Sequence, residues 1–259
     1  MAAHAIWKAV IQCGKYQVPV KLYSAIEDRN IRFRILSRKD KQPVKGAMVN
    51  PETGKIVPHD KTHRAYVAEN GDRAILETTE LDALEPEPSR NIETIAFLPA
   101  EQINHRWYDR PYYLGPDGNS KAYFAFIEAI ESSAMHGLMR WVMRGKMYMG
   151  ALRLHQGYPV LITLKHADEV VAIEDLVAPG GADLNPKELE MARQLIGMLA
   201  DELDLSAFHD AYRERVLKLV ESKAKGGPRL KLVKPSSKKP NNDLGSALQA
   251  SLKSLKKSA

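Results

Sequence analysis

Apolar and polar positions change rhythm several times along the chain, and each change marks an element. Ala5-Ile6-Trp7-Lys8-Ala9-Val10-Ile11 and Val18-Pro19-Val20-Lys21-Leu22-Tyr23 are rich in branched and aromatic residues on either side of a Gly14-Lys15 turn, which predicts two strands. Ile31-Arg32-Phe33-Arg34-Ile35-Leu36 alternates strictly, placing Ile31, Phe33 and Ile35 on one face of a third strand and Arg32 and Arg34 on the other. Periodicity then stops from Ser37 to Lys61, where Gly46, Pro51, Gly54 and Pro58 punctuate a stretch poor in large apolar residues. A loop of this length inside a folded domain usually serves a function. Beyond it, Tyr66-Val67-Ala68 and Ala74-Ile75-Leu76 flank Asn70-Gly71, the strongest short signal for a hairpin. Further strands are predicted at Ile92–Leu98, Leu138–Val142, Met147–Leu154 and Pro159–Leu164, the last two joined by a turn at Gly157.

Helical spacing interrupts and then follows the strands. Asn119 or Ser120 can cap a helix whose Tyr123, Ile127, Ile130 and Ala134 share a face. Asn185-Pro186-Lys187-Glu188 combines a cap, a proline at the first helical position and an early acid, ahead of a stripe of Leu189, Ala192, Ile196, Leu199 and Leu203. Ser206 is expected to cap the next helix, with Phe208, Tyr212, Val216 and Leu219 as its buried side and Gly226-Gly227-Pro228 as its end. Lys, Pro, Ser and Asn dominate after Pro228, a composition that cannot bury enough surface to offset ordering entropy. Leu244, Leu248, Leu252 and Leu255 form the exception, spaced for a short helix that forms against a partner.

Charge sharpens this division. The net charge of +6 over 259 residues hides a tail, Lys223–Ala259, in which ten basic residues face Asp243 alone, leaving −3 on residues 1–222. Within that acidic body, Arg32, Arg34, Arg38, Lys39, Lys41, Lys45, Lys55, Lys61 and Arg64 face only Asp40, Glu52 and Asp60. The stretch Glu77–Glu101 carries acids against Arg90 alone and reads as a solvated acidic face. Two basic blocks on an acidic body point to a localised polyanion site. Almost no aromatic residue lies in the first block between Phe33 and Tyr66. Stacking platforms for single strands are therefore missing there, which favours contact with the phosphates of a duplex. Its aperiodic part, even partly extended at about 3.3 Å per residue, spans some tens of ångströms, more than a duplex is wide.

Other chemistries find little support. Cys13, the single cysteine, excludes an internal disulfide framework and a multi-cysteine zinc site, and it reads as a small core residue. His59 and His63 have metal-binding spacing only on a helix, and none is predicted around them. Thr53-Gly54-Lys55 fails as a phosphate loop because Val49 stands where the earlier glycine belongs and Ile56 replaces the hydroxyl residue. No Gly-x-Ser-x-Gly elbow is present, and no catalytic, metal or cofactor site is expected. No stretch approaches the roughly 18 apolar residues of a membrane span, and Met1–Lys8 lacks the apolar centre of a secretory signal. A soluble, cytoplasmic protein is the expectation.

Several stretches carry a likeness to a known family. They are Val18-Pro19-Val20-Lys21-Leu22-Tyr23-Ser24-Ala25, Ser89-Arg90-Asn91-Ile92-Glu93 followed by Phe97, and Tyr108-Asp109-Arg110-Pro111-Tyr112-Tyr113-Leu114-Gly115-Pro116 with Lys121-Ala122-Tyr123. His209-Asp210-Ala211-Tyr212-Arg213-Glu214-Arg215 and Lys223-Ala224-Lys225-Gly226 complete the set. In this order, from about Ile6 to Gly226, the chain resembles the prokaryotic Ku proteins of non-homologous end joining. The resemblance implies an α+β fold: a β-barrel core with a long basic bridge loop, a C-terminal helical arm and a disordered basic tail. It divides the chain into a core, 1–185, with the bridge at 32–64, a dimerising arm, 186–226, and a flexible lysine-rich tail, 227–259. It further implies a non-enzymatic, ring-shaped homodimer that threads double-stranded DNA ends and recruits a multidomain ATP-dependent ligase (ligase D), in a bacterial cytoplasm at the nucleoid. The nine basic residues of the bridge would then face DNA. Lys231, Lys234, Lys238, Lys239, Lys253, Lys256 and Lys257 of the tail would add DNA affinity or touch a partner, as would Leu244 to Leu255. Many members carry a Cys-x-x-Cys pair in the bridge; Val49-Asn50-Pro51-Glu52-Thr53-Gly54 stands about there in this chain, so no zinc role carries over. A general basic-tailed chromatin or RNA-binding protein is the alternative, and a nuclease or nucleotidyl-transfer enzyme would need a metal-binding carboxylate cluster.

Overall fold

The computed structural model describes residues 4–176, 185–200, 202–226 and 244–258. They fall into two compact units, Met1–Asp175 and Leu176–Ala259.

The first unit starts with a hairpin, β1 (Trp7–Cys13) and β2 (Tyr16–Ser24), turning at Gly14 with φ +59. A long connection follows, holding a separate hairpin of β3 (Arg64–Val67) and β4 (Arg73–Leu76) and a short helix, α1 (Thr78–Ala83). The chain then returns as β5 (Asn91–Pro99), β6 (Tyr108–Pro116), helix α2 (Ser120–Ser133), β7 (Met135–Met143), β8 (Lys146–His155) and β9 (Tyr158–Leu164). Seven strands close into a barrel in the order β1-β2-β6-β9-β8-β7-β5, so the α+β class with a barrel core is present. Closure falls on the one parallel pair, where Val10 faces Asn91 and the Val10 N–H donates to the Arg90 carbonyl at 2.8 Å. A parallel neighbour needs a long crossover, and the connection between β2 and β5 is that crossover.

Alternation along the strands fills the interior. Val18, Val20 and Leu22 of β2 are fully buried, as are Ile92, Met139, Leu152 and Leu161 from four other strands. α2 adds Tyr123, Phe126, Ile127 and Ile130 to the same core, with Asn119 as its cap accepting from the Ala122 N–H at 3.2 Å. Ala134 is not on that face: it ends the helix in the left-handed region, φ +53. The large Trp141 needs a gap in the neighbouring strand, and Gly150 supplies it. A Cβ there would lie 2.6 Å from the indole. The indole stacks on Tyr148 at 5.6 Å between ring centres.

Two strand readings need correction. β6 is a barrel strand although Pro111 and Pro116 disguise it; a register shift between Tyr108 and Pro111 absorbs the proline. Buried Thr163 serves the irregular backbone, its Oγ1 accepting from the Arg110 N–H at 2.9 Å and donating to the Asp109 carboxylate at 3.3 Å. Conversely, the alternating run Ile31–Leu36 is not a strand. Its sole ladder contact is an isolated bridge from Leu36 to Pro43, and Phe33 and Ile35 stand 65% and 76% exposed. Alternation supplies a face, but no neighbouring strand is there to bury it.

In the second unit, α3 (Pro186–Met198) has the expected cap, Asn185 accepting from the Lys187 N–H at 3.0 Å. It ends before the predicted stripe does, leaving Leu199 as the cap and Leu203 beyond it, both strongly exposed. Ser206 is not the next cap; it sits in a short turn. α4 (Ala211–Ala224) is capped by Asp210, which accepts from the Tyr212 and Arg213 N–H groups at 2.9 and 3.0 Å. Phe208 and Tyr212 are exposed, and Val216 and Leu219 half-buried. α5 (Leu244–Ser258) lies against α3. Gly227–Asp243, expected to be disordered, lie outside the described residues.

Candidate nucleic-acid interface

β2 stops at Ser24, and the chain leaves the barrel at Ala25, whose N–H donates to the Pro111 carbonyl. From Ile26 to His63 no residue is buried, and only Ile31, Ser37, Asn50 and Val57 are half-buried. This strap is not a featureless loop. It forms two narrow knuckles, each closed by backbone hydrogen bonds.

The first knuckle runs from Ile35 to Val44. The Val44 N–H donates to the Ile35 carbonyl at 3.2 Å, and those of Ser37 and Lys41 donate to Gln42 and Ser37 at 2.9 and 3.0 Å. Its tip carries Arg38, Lys39 and Lys41, with Lys41 in the left-handed region at φ +58. Asp40 sits among them, and its carboxyl is held below the ordinary 3.8 by the Ser37 hydroxyl and then by the Gln42 N–H. The acid ties the turn together while the cations point to solvent. The second knuckle, Met48 to Val57, is closed by the Val57 N–H on the Met48 carbonyl at 2.9 Å. Asn50 organises its tip, its Oδ1 accepting from Glu52 and Thr53 N–H groups at 2.9 and 3.1 Å, and Gly54 takes φ +66. Self-closing backbone and side-chain bonds hold this tip at the place where the family's cysteine pair is expected.

The cations are spread along the strap's whole length. Arg32 and Arg34 lie on the lead-in, Lys45 links the knuckles, Lys55 stands on the second, Lys61 ends a helical turn at His59–Lys61, and Arg64 opens β3. Arg32 is tethered, its guanidinium 3.1 Å from Asp28; that carboxyl lies below its ordinary value through the Asn30 N–H and then through Arg32. Among the described residues, none of Arg34, Arg38, Lys39, Lys41, Lys45, Lys55, Lys61 and Arg64 forms an ion pair. Charges left unpaired over such a length attract an extended polyanion rather than a small one. Arg29, just outside the predicted window, belongs to the same segment and lies 3.0 Å from Glu27; the end of alternation at Tyr23 is the signal that would have included it.

Of the other candidates, Lys253 is exposed on α5, and Lys256 and Lys257 belong to the same helix. Lys231, Lys234, Lys238 and Lys239 lie outside the described residues. His59 and His63 do not face one another from a helix, and His63 Nδ1 lies 3.3 Å from Glu77. Among the described residues no three His, Cys, Asp or Glu side chains gather in a metal-binding group, and no helix is long and apolar enough to cross a membrane.

A closed barrel with an exposed cationic crossover is the architecture of a nucleic-acid-binding protein. Sequence comparison places it more narrowly. Residues 12–191 match the family profile of the Ku70/Ku80 beta-barrel domain, and the chain belongs to the Ku family. It is similar to the non-homologous end joining protein Ku of Coxiella burnetii, 33% identical over 239 residues that cover 90% of this chain and 87% of the relative. It is also similar to non-homologous end joining protein Ku 2 of Geotalea uraniireducens, 32% identical with 98% and 99% covered. The Bacillus subtilis non-homologous end joining protein Ku is 30% identical, with 96% and 81% covered.

Proposed function

We propose that this protein binds double-stranded DNA ends without sequence preference, as a ring-shaped homodimer in non-homologous end joining, and performs no catalysis itself. The observation that carries this reading is the exposed strap with its eight unpaired cations, Arg34 to Arg64, held between β2 and β3. Paired with its two-fold mate, such a strap encloses the duplex and grips the sugar–phosphate backbone, and a closed ring loads only where the duplex has a terminus. Unpartnered apolar side chains favour the dimer: Tyr66, Val67 and Ile75 on the β3–β4 hairpin, and Ile196, Leu199 and Tyr212 near α3 and α4, are all more than half exposed. An isolated two-stranded hairpin is marginal in water, so this one calls for a covering surface. The relatives are named as non-homologous end joining proteins, which supports a role in end joining, where sealing requires a ligase. We assign recruitment of the ATP-dependent ligase D to the C-terminal region, with the basic tail adding DNA affinity.

Competition between linear and covalently closed circular duplex of equal length tests the reading. Linear DNA should win, and equal affinity for the two, or for RNA, removes threading and leaves a general basic binder. With about six phosphates neutralised, log K should fall against log salt with a slope near −5. Removing Lys223–Ala259 should weaken binding to linear duplex without abolishing it; complete loss would shift the grip from the strap to the tail.

A further inference from the structure

A recess of about 530 Å³ opens on the outer wall of the barrel, lined by Tyr23, Tyr113, Gly115, His155, Gln156 and Tyr158. These residues come from four strands and a turn, and none belongs to the strap. The rings of Tyr113 and Tyr158 meet edge to face, 5.6 Å between centres and 87° apart, and remain 39% and 45% exposed. Gly115 forms the floor: a Cβ there would stand 3.1 Å from the Tyr23 ring and 3.5 Å from the Tyr158 hydroxyl. Buried Tyr123 anchors the strand that carries this floor, donating to the Leu114 carbonyl at 2.6 Å, and burial with the neighbouring Tyr158 and Tyr23 phenols pushes its own pKa up.

Two further features distinguish this recess from an ordinary surface dent. Register aligns Lys8, Lys21 and Gly115 across β1, β2 and β6, so Lys21 stands beside the floor and Lys8 one strand further on. They share one carboxylate, Asp117, at 3.2 and 3.1 Å, which leaves one positive charge in excess. Tyr23 is also the last residue but one of β2, directly at the root of the cationic strap. Flat aromatic walls, polar groups at the rim and a net cation on the neighbouring strands match a base with its phosphate.

We propose that this recess holds an unpaired base at the end of a DNA strand, with Lys8 and Lys21 beside its phosphate. The proposal rests on the end-binding function above and adds a preference that a ring alone cannot supply: single-stranded overhangs favoured over blunt ends.

The test uses the full-length protein, a blunt duplex, and the same duplex with a short single-stranded extension carrying a fluorescent purine analogue at its terminus. Stacking on one aromatic surface should favour the extended duplex by about five-fold or more and quench the analogue. Tyr113→Leu and Tyr158→Leu should erase the preference and the quenching while blunt-end affinity stays the same, and Lys8→Gln should reduce the preference alone. Equal affinity for both duplexes with no quenching by the wild-type protein overturns the recess and leaves end binding standing. Failure to bind either linear duplex more tightly than a closed circle overturns the end-binding function and this proposal with it. The wild-type quenching measurement decides the matter even if a leucine variant does not fold.

Discussion

In β2, Val18, Val20 and Leu22 alternate with Pro19 and Lys21 and are fully buried; a little further along the same chain, Phe33 and Ile35 alternate with arginines and stand largely in water. The two patterns are nearly the same. What separates them is company: β2 has β1 on one side and β6 on the other, whereas the strap has no strand beside it except its own short knuckles. Barrel residues are therefore fixed by packing, and strap residues by local turns. Substitutions should divide accordingly, into those that unfold the protein and those that leave it folded but unable to hold DNA.

The sharpest break between the regions is deletion. Replacing residues 32–61 with a flexible linker should lower affinity for linear duplex at least about 100-fold while the barrel's melting temperature barely moves. Coupled loss of both, seen by calorimetry alongside binding, would mean the strap is part of the core. Trp141→Ala is the converse. Removing a fully buried indole should destabilise the first unit by about 3–5 kcal/mol in denaturant unfolding, yet leave the affinity of the folded fraction within about two-fold.

Smaller changes sharpen the division within the strap. Arg38→Ala, Lys39→Ala and Lys41→Ala together should make the slope of log K against log salt shallower by about 2.7 and change stability by no more than about 0.5 kcal/mol. The smallest effect is on Asp40. Its folded-state carboxyl titrates below the ordinary 3.8, so its bonds to Ser37 and Gln42 are complete above that value and are lost as pH falls through the folded value. The Gln42 amide shift in an NMR titration should therefore have a midpoint below 3.8; a midpoint at or above it would show that Asp40 does not hold the first knuckle.

Much of this was readable along the chain. Runs of branched and aromatic residues marked β1 and β2, strand-like apolar stretches marked β5, β7, β8 and β9, Asn70-Gly71 marked the β3–β4 hairpin, and Asn119 and Asn185 marked the starts of α2 and α3. The strap was visible as a break in periodicity filled with cations. β6 was hidden by its prolines, and the misplaced cap at Ser206 arose because several short polar residues precede α4 while only Asp210 reaches its free N–H groups. Tyr23 and Tyr113 lie in stretches that carry the family likeness, but nothing along the chain brings them to Tyr158; that recess exists only once the barrel closes.

Local patterning thus determined where strands and helices lie, which segment carries the charge, and which family the chain resembles. These depend on residues within a few positions of one another. Tertiary structure decided the parallel closure of β1 on β5, the exposure of Phe33 and Ile35, and the meeting of three tyrosines around Gly115 with Lys21 on the next strand. Each of these depends on which strand becomes a neighbour, and that is settled by closing the barrel around a shared core, a condition no local stretch of sequence contains.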